Sequence, residues 1–356
     1  MANNSYIMAM EVQILNPAEL WDEGWLQKCG DVYILRMFMP FPLKENNCFL
    51  TETDDGWMVI DTGVNLEQNR DLFTSALKAI GITFAQISAV YLTHYHHDHS
   101  GLAGWLQEKC GVPVFLPQAD LVTWERFIDT DAYLDMAIDE CKRAGWPKKM
   151  AQELDDNITF INPLIKPLPK LTPYSAGIHL RLHGQEYEAI AVPGHTDGHI
   201  VFHSPANGVL FSGDNVVGHT ILHLTDWPHS YLSNPCDEHL AALNGLRDLE
   251  IKTVIPGHGK IFSDLPERID RIAAHHDKRK KIVYDSLHSP MTAWEIAENI
   301  FKPNQYIHIR RLVLAETLAY LQSLLGEGLV ERELVKGTYI YRGTQNISTN
   351  FLSLQP

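Results

Sequence analysis

From Asp31 to Asp61 the chain alternates apolar runs with turn residues: Val32 to Phe38, Cys48 to Thr53, the turn Asp54-Asp55-Gly56, then Trp57 to Ile60. Runs bounded in this way predict strands joined by hairpins. The period then changes: Leu66, Leu72, Phe73, Ala76, Leu77 and Ile80 recur at helical spacing up to Gly81, which predicts a helix from Leu66 to Ile80. A buried strand is expected at Ile87 to Leu92. Beyond it lie a short helix at Leu102 to Cys110, with Ser100 placed to cap it, and a strand at Val112 to Leu116.

Residues 118–157 read as helical, with Trp124, Phe127, Tyr133, Leu134, Ile138 and Trp146 as the large apolar positions, and a proline-punctuated loop follows. This long excursion is expected either to cover a sheet or to wall a substrate pocket. Strands resume at Gly177 to Leu182, Tyr187 to Val192, Ile200 to His203, Gly208 to Ser212 and Thr253 to Ile255. Three of them run into turns carrying glycine with His or Asp: Pro193-Gly194-His195-Thr196, Ser212-Gly213-Asp214-Asn215 and Pro256-Gly257-His258-Gly259. A helix is expected at Pro266 to Leu287. Thr292-Ala293-Trp294-Glu295 has the form of a capping box, a longer helix ends at Gly326, and a hairpin turns at Lys336-Gly337.

Composition narrows the partners. Lys and Arg number 29 against 44 Asp and Glu, a formal net charge of −15, so attraction to a polyanion or an anionic bilayer would need a local basic patch. The five cysteines are scattered and lack C-x-x-C spacing, which argues against a disulfide framework and for a reducing, cytoplasmic setting. Polar residues interrupt the apolar ones from Met1 to Trp21, so neither an export signal nor a membrane span is expected.

The chemistry concentrates in Thr93-His94-Tyr95-His96-His97-Asp98-His99, on a strand-to-helix loop. Imidazole nitrogens and carboxylates at this density suit a divalent metal site, and further ligand types appear singly as His195, Asp214 and His258. The arrangement resembles the metallo-β-lactamase superfamily, whose pattern H-x-H-x-D-H is followed by a lone His, a lone Asp and a lone His. Asp61-Thr62-Gly63 matches its leading Asp-Thr-Gly element. The resemblance covers roughly residues 31 to 265. It implies an α/β fold, the αββα sandwich of two mixed sheets faced by helices. It further implies two divalent metal ions, with His94, His96 and His195 on one, Asp98, His99 and His258 on the other, and Asp214 bridging. Asp61 would support the metal loop, and Asp98 would be the catalytic residue that orients a bridging hydroxide and passes a proton to the leaving group. Imidazole-rich ligation suits zinc, with iron and manganese compatible. His97 and His199 are expected to be non-ligands, His223 to line the pocket, and His219, His229, His275 and His276 to be ordinary histidines.

The expected organisation is a catalytic domain at 1–265 with a helical insertion at about 118–157, a linking helix at 266–287, a small domain at 288–345 and a tail at 346–356. The small domain resembles the winged helix that follows the catalytic domain in a glyoxalase II-like, lactamase-like subfamily. From Asp285 to Pro356 there are six basic and seven acidic residues, whereas a phosphate-backbone binder shows a basic face. The segment is therefore expected to pack on the catalytic part, extend its pocket or support a homodimer. Lys278 to Lys281 form a basic cluster, read either as a solvated helix end or as a cradle for the phosphates of coenzyme A or RNA. The resulting expectation is hydrolysis of a small-molecule thioester or ester, such as an acyl-CoA, a glutathione thioester or a lactone. The competing reading is a metal-dependent ribonuclease acting on single-stranded RNA.

Overall fold

The computed structural model describes residues 24–41, 43–148, 151–224, 227, 230–302 and 306–344. Met1 to Trp21, His229 and the tail 346–356 lie outside them. The first half contributes strands β1 (Leu26–Cys29), β2 (Val32–Phe38), β3 (Glu45–Thr53), β4 (Gly56–Ile60), β5 (Ile87–Tyr91), β6 (Val114–Pro117) and β7 (Leu171–Tyr174). The second contributes β8 (His179–Leu182), β9 (Gln185–Ala191), β10 (Ile200–Ser204), β11 (Val209–Gly213) and β12 (Thr253–Pro256). The path runs β12-β11-β10-β9-β8-β3-β4-β5-β6-β7, with β2 on β3 and β1 on β2. Among the described strands, the pairing of Thr53 with Leu182 joins the two halves, and the halves fold face to face.

Alternation along the strands explains this packing. Phe49, Met58, Ile60, Tyr187, Ile200, Phe202 and Phe211 meet in a layer between the halves, where the Phe49 and Phe211 rings lie 5.3 Å apart. Their neighbours Cys48, Leu50 and Val59 face the opposite way into a helix-covered layer. Val201, Leu210 and Val254 face a third layer under other helices. Strands buried on both faces read as nearly continuous apolar runs, so the sandwich is an αββα arrangement.

Helices α1 (Glu67–Ile80), α2 (His97–Ser100) and α3 (Ala103–Cys110) belong to the first half, and Gly81 ends α1 in the left-handed conformation at φ 87. The excursion forms three helices, α4 (Gln118–Ile128), α5 (Thr130–Arg143) and α6 (Ala151–Ile161), rather than one run. Asp129 caps α5 by accepting from the Ala132 N–H, which breaks the chain there. Helix α7 (Pro235–Leu246) was not foreseen, although Asn234 as its cap, Pro235 at its start and two acids in the first turn are start signals. Then come α8 (Leu265–Ser286), α9 (Ala293–Ile300), α10 (Ile307–Gly326) and the hairpin β13 (Val330–Val335) with β14 (Thr338–Gly343).

The Thr292 capping box forms as expected. Ser100, however, caps nothing: it lies inside α2, and its hydroxyl donates to the Tyr95 and His96 carbonyls. Helix α3 begins without a side-chain cap. The C-terminal helices share the apolar layer of the excursion, with Trp294, Leu314, Leu318 and Tyr320 joining Trp146, Leu154 and Ile158. The Trp146 and Trp294 rings lie 4.5 Å apart.

Candidate metal centre

Strands β4, β5, β9, β11 and β12 all finish at one edge of the sandwich, and the loops that leave them bring the chemistry together. His94, His96 and His195 form one group, and Asp98, His99, Asp214 and His258 form another; within each, the candidate ligand atoms lie within 4.8 Å of one another. Asp214 reaches toward both groups. Its Oδ1 is 3.2 Å from His99 Nε2, and its Oδ2 is 3.2 Å from His258, 3.4 Å from His195 and 3.9 Å from His94. Asp98 Oδ2 lies 3.3 Å from His258 Nε2 and 3.6 Å from His99 Nε2.

A bulge aims Asp214. Phe211 pairs with Ile255 and Gly213 with Pro256, so β11 carries one residue more than β12, and an extra residue of this kind bends the strand and redirects the residues after it. Glycine is needed at two points beside it. Gly213 takes φ +49, and a Cβ there would lie 2.5 Å from His199 Nε2. A Cβ on Gly257 would lie 2.4 Å from Asp214 Oδ1.

The histidines are oriented from behind. Asp61 accepts from the Thr93 N–H through Oδ1 and from the Thr93 hydroxyl through Oδ2, both at 2.8 Å, and His99 Nδ1 lies 2.8 Å from the same Oδ2. His195 Nδ1 lies 3.0 Å from the His223 carbonyl, and His258 Nδ1 bonds the Glu45 carbonyl. Partners of this kind fix the ring and leave the far nitrogen for a cation. That far side is indeed unsatisfied: His94 Nε2, His99 Nε2, His258 Nε2 and Asp214 Oδ1 are buried without a hydrogen-bond partner. His96 Nδ1 and His195 Nε2 face each other at 3.0 Å. Orphaned buried atoms converging on one spot are costly unless something positive fills it, so this donor set fits divalent cations.

The charges agree. Burial alone would lower His258, but Asp214 and Asp98 outweigh it and push it up to about 10; His99 is raised by Asp214, Asp61 and Asp98 against the same penalty. Burial likewise opposes ionisation of Asp98 and Asp214, and the neighbouring histidines overcome it and hold both carboxyls low. The pocket gathers positive charge around two carboxylates. His94 and His96 are lowered, first by burial, and stay neutral as ligands must.

His97 lies outside both groups and packs on Phe41, 4.8 Å between rings. His199 Nε2 accepts from the Asp214 N–H at 3.0 Å, a supporting contact. Sequence reasoning missed Asp120. This buried carboxylate accepts from the Tyr95 N–H, the Thr196 hydroxyl and the Gly198 N–H at 2.9, 3.0 and 2.6 Å, and so ties the His94 loop to the His195 loop. Burial pushes its carboxyl up to about 7 against the pull of those donors. An isolated aspartate early in a helix carries no pattern that announces this.

Beside the two groups lies a cavity of about 260 Å³, walled by Phe41, Leu43, Phe127, Tyr133, Ile221, Leu222, Trp227 and, from α10, His308, Ile309, Arg311, Leu312 and Ala315. The excursion thus supplies Phe127 and Tyr133 to the wall, while Trp124 and Trp146 are buried in the core. His223 lines the cavity as expected. The basic cluster does not line it: Lys280 pairs with Glu327 at 2.8 Å, Lys281 with Asp285 at 2.8 Å, and the Arg279 guanidinium covers the Phe301 ring. These contacts argue against a phosphate cradle, and Lys280, its side chain 12% exposed, does not belong to a solvated face either.

Known proteins share this frame. The chain is 24% identical over 299 residues to a beta-lactamase-like protein 2 homolog of Caenorhabditis elegans, covering 82% of each. It is 24% identical over 278 residues to the atrochrysone carboxyl ACP thioesterase of Aspergillus fumigatus, covering 77% of this chain and 51% of that protein. A metallo-beta-lactamase family protein of Thermus thermophilus superposes with a TM-score of 0.78 at 27% identity, covering 89% of this chain and 99% of that one. Residues 42–258 match the family model described as metallo-beta-lactamase superfamily, and the chain belongs to that superfamily.

Proposed function

We propose that this protein is a dinuclear metal hydrolase of acyl thioesters or esters. The observation that carries the reading is the convergence of seven ligand-type side chains, six buried and His96 half-buried, beside an apolar cavity. His94, His96 and His195 would hold one ion, Asp98, His99 and His258 the other, and Asp214 both. Bound there, a divalent pair, zinc by ligand type, would lower the pKa of water toward neutrality and polarise the acyl oxygen.

The chain's own residues do the rest. Asp61, Glu45 and His223 hold three of the rings in place through their second nitrogens. The apolar wall binds the acyl chain and keeps bulk water from it. Asp98, ionised and within reach of His258, takes the proton released on attack and returns it to the departing thiolate or alkoxide. The thioester preference is supported by the apolar lining and by relatives named as thioesterases. We read α9, α10 and the following hairpin as a winged-helix-like element of a glyoxalase II-like branch, acting here as pocket wall, and a cytoplasmic setting fits the unpaired thiols.

The test is a panel of thioesters, lactones and labelled RNA with the metal-loaded protein, with elemental analysis alongside. Thioester turnover nearly indifferent to salt is expected. RNA cleavage that falls steeply with salt, with no thioester turnover, would overturn the reading. Full turnover by Asp98→Asn with metal retained would remove the proton role.

A further inference from the structure

Among the described residues, Arg311 is the one lysine or arginine that lines the cavity. It is half-buried on α10, and its Nη1 donates to the Tyr133 hydroxyl at 3.1 Å. The same hydroxyl accepts from Trp227 Nε1 at 3.1 Å, so a fixed indole and phenol hold the guanidinium on one side. No carboxylate of the described residues forms an ion pair with it. The imidazole three residues before it on the same helix does not share its charge: His308 is lowered, first by burial and also by Arg311. A guanidinium in an apolar wall without a counter-ion is unfavourable, and its planar fork matches a carboxylate in two parallel hydrogen bonds.

We propose that Arg311, positioned by Tyr133, receives a carboxylate carried by the acyl part of the substrate, so that the preferred substrates are thioesters or esters of a dicarboxylic acid. The inference rests on the acyl hydrolase reading. The location selects the acyl side: the cation shares a cavity of about 260 Å³ with the metal-ligating residues, whereas the phosphates of a coenzyme A leaving group lie a full pantetheine arm away from the reacting carbon.

The experiment compares pentanoyl and glutaryl thioesters of N-acetylcysteamine, which differ in the terminal carboxylate, with pentanoyl-coenzyme A as the phosphate-bearing arm. The wild type is expected to favour glutaryl over pentanoyl by roughly ten- to hundred-fold in kcat/KM. Arg311→Met should bring that ratio near one, with melting temperature and metal content as checks on folding, and Arg311→Lys should restore part of it. Calorimetry of glutarate against pentanoate on the holoprotein reads the same selectivity without turnover. Thioester hydrolysis with no Arg311-dependent preference in either measurement overturns this proposal and leaves the hydrolase reading intact. Arg311-dependent glutarate binding without any thioester turnover does the reverse. A preference for the coenzyme A ester that vanishes in Arg311→Met would assign the cation to phosphate and also overturn the proposal.

Discussion

Gly257→Ala should spare the fold and disable the metal centre. An added Cβ would stand 2.4 Å from Asp214 Oδ1, 2.9 Å from His99 Cε1 and 3.1 Å from the Gly213 carbonyl carbon. Ordinary contact begins at about 3.5 Å, so the Asp214 carboxylate has to retreat by about 1 Å. The backbone has little room to yield instead, because the Gly257 N–H donates to the Gly213 carbonyl and its own carbonyl accepts from Asn47, both at 2.7 Å. Moving the end of one side chain costs the fold about 1–3 kcal/mol. Ligation tolerates only about 0.2 Å, and a misplacement of about 1 Å can lower turnover about 100-fold. Elemental analysis after dialysis should therefore find fewer than two metals per chain, with kcat/KM on the best thioester down about 100-fold and circular dichroism unchanged. Gly245→Ala, with nothing within 4 Å of the new carbon, is the control, and in its helix it should gain up to about 1 kcal/mol. A Gly257→Ala protein that keeps both metals and full activity would refute the argument.

Asp61→Ala strands the Thr93 N–H and His99 Nδ1, and a competitive chelator titration should show metal affinity lower by about 10–100-fold. Asp120→Asn sets an amide N–H against at least one of three donors; urea unfolding should register a loss of about 1–3 kcal/mol, and an unchanged midpoint would deny the tie between the two loops. In the metal-free protein His258 is pushed up to about 10 and is protonated at neutral pH, so metal entry must expel that proton. Affinity should then rise as pH increases from 6 toward 9, and calorimetry in buffers of different ionisation enthalpy should detect proton release; its absence would contradict the charge assignment.

The metal loop was legible because ligand chemistry needs particular residue types at close spacing, and few other pressures place His94, His96, Asp98 and His99 together. The sandwich was legible through the resemblance carried by that motif; runs such as Val32 to Phe38 and Val209 to Gly213, buried at nearly every position, announce strands in a packed core but not how the sheets are layered. Ser100 misled because a serine before an apolar run is the ordinary sign of a helix start, whereas here the loop has already begun to coil at His97. Asp120 and Arg311 were invisible for a different reason. Each acts through partners far away in sequence, Asp120 with Gly198 and Arg311 with Tyr133, and such pairings exist only once the layers have assembled.

Helix α10 gives the cavity five of its lining residues, yet it lies beyond the stretch that matches the family, 42–258. Part of the cavity wall is thus supplied from outside the stretch that carries the ligand-type residues, while Phe127, Tyr133 and Trp227 supply another part from within it. Exchanging the segment from Ile307 to Gly326 between relatives would be a way to retune which acids are accepted while the hydrolytic machinery stays as it is.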